Sequence, residues 1–263
     1  MIRHTFAISA YKESSYLEDC IKSIINQKVK SKCLICTSTP NELIKDLAKK
    51  YNLPLYIRER KEEENSISED WNFAVSKAET ELVTVAHQDD IYLSNYTENV
   101  LKEVDNSSKP LIIFTDYAEI RNNDKTFNGL NLKIKRLMQR PFKYRFLRKS
   151  KFIRKLILSF GTPICCPSVC FSKLNLREPF FQKFMCSLDW LAWVNISNYD
   201  GDFAYINKVL MLHRIHNCSE TTNLIEKNIR QNEDYYMFCK FWWKPIAKIL
   251  SKLYSYSLKS NKV

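Results

Sequence analysis

Apolar residues along the first 116 positions follow two periods. Short apolar runs predict buried strands, and stretches in which apolar residues recur every three or four positions predict amphipathic helices. The first run, residues 5–10, precedes a helix that begins at Ser14 or Ser15 and has apolar residues at 17, 20, 21, 24 and 25. Further strands are predicted at 33–36, 55–58, 82–86 and 111–114, and further helices at 41–51, 66–78 and 94–104.

This alternation of strands and helices predicts an α/β fold with a mainly parallel sheet and helices on both of its faces. A polar cluster follows most of the predicted strands, at residues 9–13, 37–38, 87–90 and 115–116. Ligands of such sheets bind beyond the carboxyl ends of the strands, so we expect these clusters to converge on one cleft.

Composition narrows the class of protein. The chain has 263 residues, of which 45% are hydrophobic, so it can bury the core of one large or two small domains and is not mainly disordered. No apolar run approaches the roughly 18 residues of a membrane-spanning helix, and the first ten residues do not resemble a signal peptide, which predicts a cytosolic protein. The three glycines exclude a GxGxxG fingerprint and a P-loop.

The nine cysteines are interpreted as reduced core residues. Most lie within apolar stretches, where cysteine behaves as a small hydrophobic side chain. Cys33 and Cys36 form a CxxC pattern, but Leu34 and Ile35 lie between them in a strand-like run. No second Cys or His pair follows at the spacing of a zinc site, so neither a disulfide framework nor a zinc site is favoured.

The positive charge is concentrated in one segment. Residues 125–177 contain 14 Lys and Arg and no Asp or Glu, whereas the rest of the chain has 27 basic and 29 acidic residues. The densest part, 133–155, interleaves cations with aliphatic and aromatic residues, which is typical of an interfacial helix or a polyanion-binding surface. The alternative is a solvated, lysine-rich helical face, although such a helix would forgo i,i+4 ion pairs.

A second basic segment lies near the end of the chain. Residues 237–258 have no acidic residue, include two adjacent tryptophans, and place lysines at 240, 244, 248 and 252. This pattern is typical of an interfacial helix that begins or breaks at Pro245. A helix that packs its apolar residues onto the rest of the protein fits equally well; those residues are Trp242, Ile246, Ile249, Leu250 and Leu253.

Asp89 and Asp90 directly follow a predicted buried strand. Adjacent carboxylates that are fixed at a strand end can hold a divalent cation, and such a cation can also bind a diphosphate. The alternative is a turn-forming pair that caps the next helix. The pair is therefore a candidate metal site that needs further support.

Four segments supply that support, because they occur in the order of known motifs. They are AISAYKE at 7–13 with YL at 16–17, WN at 71–72 with VTVAHQDD at 83–90, LDW at 188–190, and RIH at 214–216 with Ser219 and Thr222. From about Phe6 to Thr222 the chain thus resembles the family 2 glycosyltransferases of the GT-A fold, inverting enzymes that transfer a sugar from a nucleotide-sugar to an acceptor hydroxyl. The resemblance implies a catalytic domain at 1–222. The charge patterns described above assign 125–177 to its acceptor or membrane side and predict amphipathic helices at 223–263.

The resemblance also implies roles for individual residues. Asp189 would be the general base, Asp89 would ligate Mn²⁺ or Mg²⁺ between the donor phosphates, and His216 is a second candidate ligand. The segment Arg214, His216 and Ser219 would close over the diphosphate. The remaining donor-binding candidates are Ser9, Ala10, Tyr11, Glu13, Ser38, Asp70, His87 and Gln88. Asp70 is preferred to Asn72 for the ribose, because residues two apart in a helix do not share a face.

This chain departs from the family pattern at several positions. Ala10 replaces the usual Pro, Lys12 replaces Asn, and His87 replaces the first Asp of the DxD motif. The family's DDGS after the second strand is TSTP at 37–40, so the carboxylate that normally reads the nucleobase is missing. The choice of nucleobase is therefore not fixed by the resemblance.

The sequence predicts a metal-dependent inverting glycosyltransferase. Its donor would be a nucleotide-diphosphate sugar, with UDP preferred, and its acceptor a lipid-linked glycan of a bacterial surface polysaccharide at the inner face of the membrane. One rival is a basic nucleic-acid-binding protein, which leaves Asp89 and Asp189 without a role, so nucleic acid is not the expected partner. A second rival is a nucleotidyltransferase-like enzyme with the same metal site, which would release pyrophosphate rather than a nucleoside diphosphate.

Overall fold

The structure is a computed structural model that describes residues 1–60, 67–122, 124–182, 184–216 and 229–259. Its first half alternates strands and helices, as the sequence predicts. These elements are β1 (His4–Ala10), α1 (Leu17–Ile25), β2 (Lys32–Thr37), α2 (Glu42–Lys50), β3 (Leu55–Ile57), α3 (Ile67–Lys77), β4 (Leu82–His87), β5 (Ile91–Tyr92) and α4 (Tyr96–Asp105).

The second half mixes longer strands with short helices. Its elements are β6 (Pro110–Arg121), β7 (Asp124–Thr126), α5 (Leu130–Gln139), α6 (Arg145–Arg148), α7 (Lys151–Leu158), β8 (Val169–Ser172), α8 (Leu188–Ile196), β9 (Asp202–Arg214), α9 (Ile229–Cys239) and α10 (Lys244–Lys259). Short 3₁₀ turns at Arg140–Lys143 and Cys166–Ser168 precede α6 and β8.

The strand predicted at 111–114, which is expected to end at the polar cluster containing Asp116, is longer than predicted, because β6 continues to Arg121. The polar residues in its second part obscure the strand in the sequence, yet each is neutralised: Asp116 pairs with Arg136 at 2.7 Å and Glu119 pairs with Arg121 at 3.2 Å. The register with β9 shifts on both sides of Asp116, which marks a β-bulge there.

The strands form one sheet in the order β3-β2-β1-β4-β8-β6-β9-β5, and β7 pairs with β6. Strands β3, β2, β1 and β4 run parallel, as do β6 and β9, while β8 runs antiparallel between β4 and β6. The predicted α/β fold is confirmed, and its parallel part places the ends of β1, β2 and β4 side by side.

Hydrophobic clusters cover both faces of the sheet, because successive residues of a strand point to opposite sides. In β1, Ala7 faces one cluster and Phe6 and Ile8 face the other. Helices α1, α2 and α4 pack on the second cluster, and helices α3, α8, α9 and α10 contribute to the first. The C-terminal helices therefore share a core with the helix that carries Asp189.

Helix α10 is partly packed and partly exposed. Trp242 just before it and Leu250 within it lie against the core, whereas Ile249 and Leu253 are 59% and 61% exposed. The packing interpretation thus holds for one side of this helix, and the other side leaves apolar residues unburied. No helix within the described residues has both the length and the apolar character that crossing a bilayer requires.

The basic segment contains several short helices, and two of its cations are buried. Arg148 contacts Glu103 at 2.6 Å and Asp202 at 3.6 Å. Arg154 donates to the backbone carbonyls of Tyr199 and Gly201, and its guanidinium lies 4.7 Å from the ring centre of Phe203. These two arginines fasten α6 and α7 to the start of β9, so they are structural and not part of a charged surface.

The eight cysteines of the described residues are free thiols, as the sequence predicts. Cys33 and Cys36 lie in β2 and are largely shielded from solvent, which raises the pKa of both thiols to about 12. Their CxxC pattern therefore belongs to a strand of the sheet.

Candidate active site

Loops that follow β1 and β4 meet at the carboxyl edge of the sheet. Ser9 is the register partner of both Cys36 and His87, so the three strands end at one level. The side chain of Gln88 then bridges to Tyr11, accepting from its backbone N–H at 3.0 Å and donating to its carbonyl at 2.8 Å. The structure thus brings the first and third predicted polar clusters together.

Tyr11 lies between two cations. The Lys12 Nζ is 5.0 Å and the Arg60 guanidinium 5.1 Å from the centre of its ring. Lys12 has a left-handed backbone (φ 55°), and its N–H donates to Thr39 Oγ1 at 2.6 Å, so the loop after β1 is tied to the loop after β2. Of the neighbouring candidates, Ser9 is half-buried, Ala10 is buried, and Glu13 is exposed on the same loop.

Ser38 and Asp70 form a polar cluster with two arginines that the sequence analysis did not identify. Asp70 accepts from Ser38 Oγ at 2.9 Å and from Arg58 Nε at 2.9 Å. Arg60 Nε donates to Ser38 Oγ at 3.0 Å, and its Nη2 is 3.5 Å from Asp70. The Asp70 carboxylate is therefore engaged by protein groups, and one of its two arginines, Arg60, also lies near the ring of Tyr11.

Asn72 has a different task from its neighbour Asp70. Its side-chain carbonyl accepts from the backbone N–H groups of Phe180 and Phe181, and its amide donates to the Phe181 carbonyl at 2.7 Å. The side chain of Trp71 contacts the ring of His87, with 4.6 Å between ring centres. Helix α3 thus supports the site from one side and orders the loop before α8 from the other.

His87, Asp89 and Asp90 offer ligand atoms that lie within 4.8 Å of one another. Asp90 is fully buried, and within the described residues its Oδ2 atom and the His87 Nε2 atom have no hydrogen-bond partner. Unpaired buried oxygen and nitrogen atoms are costly unless they bind something, and carboxylate and imidazole groups are ligands of Mn²⁺ and related cations. The donor set therefore fits a divalent cation.

Three residues from the end of β9 converge on this pair of carboxylates. His213 Nδ1 lies 2.9 Å from Asp90 Oδ1, which also accepts from the Arg214 N–H at 2.9 Å. His216 Nε2 lies 2.9 Å from Asp89 Oδ2, and Arg214 Nε donates to the Asp89 carbonyl at 3.0 Å. The structure thus joins segments more than 120 positions apart in the sequence, while Ser219 lies outside the described residues.

Burial and neighbouring charges shift the pKa values of the acidic and histidine side chains at this site in opposite directions. Burial alone would raise the pKa of Asp89, but the hydrogen bond from His216 and the charges of His87 and His213 outweigh it, and the net pKa is lowered. Burial lowers the pKa of His87, whereas the charge of Asp90 raises the pKa of His213 against the effect of burial. The guanidinium of Arg214 is also held 4.3 Å above the ring of Tyr16.

Asp189 is the second residue of α8 and is partly buried. Its Oδ1 atom accepts from the Trp190 backbone N–H at 2.7 Å. Burial raises the pKa of its carboxyl to about 6, although the charge of Arg230 acts in the opposite direction. A carboxylate with this pKa is ionised at neutral pH and accepts a proton more readily than an ordinary aspartate.

Two shared neighbours relate Asp189 to the Asp90 carboxylate. Burial raises the pKa of the Cys165 thiol, and the charges of Asp90 and Asp189 both add to that effect. Lys135 of α5 lowers the pKa of Asp189 and also that of His213. Asp189 and the Asp90–His213 pair are therefore both within electrostatic range of Cys165 and Lys135.

The sequence analysis missed Arg58, Arg60, His213 and Lys135. Basic residues are common in this chain, so their type gave no signal, but the position of His213 next to Arg214 did. Lys135 is half-buried and donates to the Tyr117 hydroxyl at 2.8 Å, which separates it from the exposed cations of the basic segment.

Comparison with solved structures shows the same fold in two glycosyltransferases. TarS of S. aureus (residues 1–349, solved with UDP-GlcNAc) aligns with a TM-score of 0.63 at 11% identity over 95% of this chain and 70% of its own. The mannosyltransferase PcManGT of Pyrobaculum calidifontis, solved with GDP-Man and Mn²⁺, aligns with a TM-score of 0.62 at 13% identity over 99% of this chain and 76% of its own. No curated protein matches the chain in sequence.

The sequence pattern described as "Glycosyl transferase family 2" matches residues 5–176, which is more than half of the chain. The matched region includes β1 except for His4, the Asp89–Asp90 pair and the basic segment except for Arg177, and the sheet has the α/β fold of the two solved glycosyltransferases. The chain belongs to glycosyl transferase family 2 and is a glycosyltransferase.

Proposed function

We propose that the protein is an inverting enzyme that moves a sugar from a nucleoside-diphosphate sugar, preferably a UDP-sugar, to a hydroxyl of a glycan acceptor. The observation that carries this proposal is the convergence of Arg214 and His216 on Asp89, beside the buried Asp90, at the ends of parallel strands. A cationic arm over paired carboxylates is suited to a diphosphate that is bound through a metal ion. The UDP-GlcNAc and GDP-Man of the two related structures support this donor class.

The donor would lie across the carboxyl edge of the sheet. Its nucleobase and ribose would contact Tyr11, Glu13 and the backbone of Ser9 and Ala10, with Ser38, Asp70 and Gln88 shaping this end of the cleft. Its diphosphate would lie toward Arg214 and His216, with Ser219 as a further proposed contact. Because Asp70 is held by Arg58 and Ser38, its contribution would be to orient Arg60 beside Tyr11.

A divalent cation, Mn²⁺ or Mg²⁺, would be held by Asp89 and Asp90, with His87 or His216 as the nitrogen ligand. When bound, it would neutralise the charge that develops on the departing diphosphate. The Asp90 Oδ2 and His87 Nε2 atoms support this assignment, since both are buried and neither has a hydrogen-bond partner in the described part of the chain.

Asp189 would remove the proton from the acceptor hydroxyl. The hydroxyl oxygen then forms a bond to the anomeric carbon on the face opposite the diphosphate, while the bond from that carbon to the phosphate oxygen breaks. The electron pair of the broken bond leaves with the nucleoside diphosphate, and the configuration at the anomeric carbon is inverted. The pKa of about 6 suits Asp189 to this proton transfer at neutral pH.

The direct test is turnover of a panel of UDP- and GDP-sugars, read as release of nucleoside diphosphate with and without Mn²⁺. We expect release from at least one donor, a dependence on the metal, and no release of pyrophosphate. Pyrophosphate as the product would support the nucleotidyltransferase rival. No turnover of any donor in the panel, with properly folded enzyme, would contradict the proposal.

We further propose that the acceptor is a lipid-linked glycan of a bacterial surface polysaccharide and that the protein binds the inner face of the cell membrane peripherally. In this arrangement residues 1–222 form the catalytic domain, and residues 223–263 add membrane-side helices. The support is a face formed by α7 and α10, on which exposed apolar residues stand next to exposed lysines. We call it the cationic–apolar face; it consists of Lys151, Phe152, Lys155, Leu156, Phe160, Trp243, Lys244, Lys248, Ile249, Lys252 and Leu253.

The residues just after α7 contact the residue shortly before α10. The rings of Phe160 and Trp242 lie 5.5 Å apart, and Trp242 Nε1 donates to the Ser159 carbonyl at 2.8 Å. Phe152 and Leu156 are 71% and 43% exposed, and each directly follows an exposed lysine. Apolar side chains flanked by cations are suited to the boundary between anionic headgroups and acyl chains.

Co-sedimentation with vesicles tests the membrane proposal. We expect binding to anionic vesicles that weakens with salt and is lost in a Lys248→Glu, Lys252→Glu variant. The matched control is Lys28→Glu, Lys49→Glu, which makes the same charge change at exposed positions far from this face in the sequence. Strong duplex binding without vesicle binding would favour the nucleic-acid rival, and equal losses in both variants would refute the assigned face.

A further inference from the structure

The carboxylate of Glu233 in helix α9 contacts the segment of chain that leads into α8. Glu233 accepts three backbone hydrogen bonds: its Oε1 atom from the Met185 N–H at 2.8 Å, and its Oε2 atom from the N–H groups of Cys186 and Ser187 at 2.8 and 2.9 Å. Three consecutive N–H groups are thus held by one side chain from a helix more than 40 positions further along the chain.

These bonds fix the three residues that precede α8, and they do not cap the helix itself, since the helix begins at Leu188. The first N–H groups of a helix have no partner within the helix, and a side chain at the preceding residue usually accepts from one of them. Here that residue is Ser187, which makes no such cap bond; instead its Oγ atom donates to Asp234 Oδ1 at 2.7 Å. Two adjacent acidic residues of α9 therefore set the path of the chain that enters α8.

The proposed base follows directly. Asp189 lies two residues after Ser187, and its own Oδ1 atom is bonded to the backbone of Trp190. The Trp190 ring packs edge-to-face on Phe238 of α9, with 5.0 Å between ring centres. The backbone before Asp189 and the side chain after it are therefore both fixed by α9.

A cation completes the contact between the helices. Arg230 of α9 lies 3.7 Å from the buried Asp234 and is also close enough to Asp189 to lower the pKa of that carboxyl. Burial would lower the pKa of Arg230, but Asp234 and Asp189 raise it overall, so it stays charged. One face of α9 thus carries Glu233 toward the backbone of residues 185–187, Asp234 toward the Ser187 hydroxyl, and Arg230 beside Asp234.

We propose that Glu233 is a positioning residue for the transfer reaction: it clamps residues 185–187 and thereby fixes Asp189 against the acceptor hydroxyl. This inference rests on the proposed role of Asp189 as the base. Orientation of a base relative to the bond it acts on affects the chemical step far more than it affects donor binding. Glu233 itself is part of α9 and touches no proposed substrate group.

The test compares Glu233→Ala and Glu233→Gln with the exposed control Gln231→Ala on the same helix. Turnover is measured with the nucleotide-sugar that the wild-type enzyme hydrolyses, and it is normalised to the fraction of enzyme that binds UDP or GDP with Mn²⁺. We expect kcat to fall roughly tenfold to hundredfold in Glu233→Ala, with KM for the donor unchanged. Glu233→Gln keeps one acceptor oxygen and should recover part of kcat, and Gln231→Ala should match the wild type.

The decisive measurement repeats Glu233→Ala in an Asp189→Asn background. If Glu233 acts through Asp189, the second substitution has almost no further effect on kcat, because the base is already absent. An equal fold-loss in both backgrounds, or an unchanged normalised kcat in Glu233→Ala, would overturn the inference. Normal turnover by Asp189→Asn alone would instead refute the proposed base and leave the clamp as a structural contact.

Discussion

Asp89, which follows β4, and Asp189, near the start of α8, are both partly buried carboxylates, but their surroundings differ in charge. Asp89 contacts His216, lies near two other histidines, and has a lowered pKa. Asp189 has its own backbone and one arginine nearby, and burial raises its pKa to about 6. The first group is held in the anionic form that a metal ion requires, and the second is poised to take up a proton.

This contrast fits the two roles proposed for these carboxylates, Asp89 as a metal ligand and Asp189 as the base. The basic groups around Asp89 come from the end of β9, from His216 just after it, and from His87 at the end of β4, so strand ends supply them. Asp189 is reached instead by helices, and the α9 helix brings both the acidic clamp and Arg230. The proposed metal ligands thus depend on where strands end, and the proposed base depends on helix packing.

The largest effect should come from removing the metal side of this pair. Asp89→Ala should abolish transfer and eliminate any Mn²⁺-dependent rise in Tm that UDP or GDP produces, because the remaining ligands carry too little negative charge. The measurement is thermal unfolding with nucleotide, with and without Mn²⁺, together with turnover. Asp19→Ala, an exposed aspartate of α1, is the control. Near-normal turnover by Asp89→Ala would contradict the metal assignment.

A smaller but still large effect is expected on the base side. Asp189→Asn keeps the shape of the side chain and removes the proton acceptor, so transfer should fall by roughly 10² to 10⁴ while affinity for UDP or GDP is retained. In the wild type, kcat should also decline as pH falls below about 6, and this decline should be absent from the residual activity of the variant. Parallel loss of nucleotide affinity would place Asp189 among the donor-binding or structural residues.

The smallest effect concerns stability and has the opposite sign. A carboxyl with a pKa near 3.9 when unfolded and about 6 when folded favours the folded state only while it is protonated, so its contribution is lost as pH rises from about 4 to 6. Asp189→Asn should therefore raise Tm at pH 7 by a few degrees, about 1 kcal/mol, and the difference should vanish near pH 4. An exposed control, Asp46→Asn, should leave Tm unchanged at both pH values.

The parts of this fold that the sequence predicts are those in which local pattern decides structure. The alternation of β1 to α4 follows from apolar periods within single elements, and the Asp89–Asp90 pair stands out because it ends a purely apolar strand. The length of strand β6 does not follow from its sequence, because Asp116 and Glu119 interrupt its apolar run. Their burial is stabilised by ion pairs with Arg136 and Arg121. Such pairing is a tertiary contact without a local signature.

The same limit applies to the site. Arg214 and His216 were found by resemblance to a motif, but nothing in the residues around Asp70 indicates that Arg58 and Arg60 bind it. Charge patterning also misled in one respect: Arg148 and Arg154 belong by sequence to the basic segment, yet both are buried in ion pairs and carbonyl contacts. Composition gives the sum of charges in a segment, and only the fold separates internal cations from those that face solvent.

The free cysteine thiols can report local unfolding of the protein. A thiol with a pKa of about 12, as at Cys33, Cys36 and Cys186, has roughly one molecule in 10⁵ as the nucleophilic thiolate at pH 7, so these three thiols react slowly with alkylating reagents in the folded protein. Cys33 and Cys36 lie in β2, whereas Cys186 lies in the loop that Glu233 holds. Pulsed alkylation followed by mass spectrometry would therefore measure separately when the sheet and the loop before α8 become exposed during unfolding, without an introduced label.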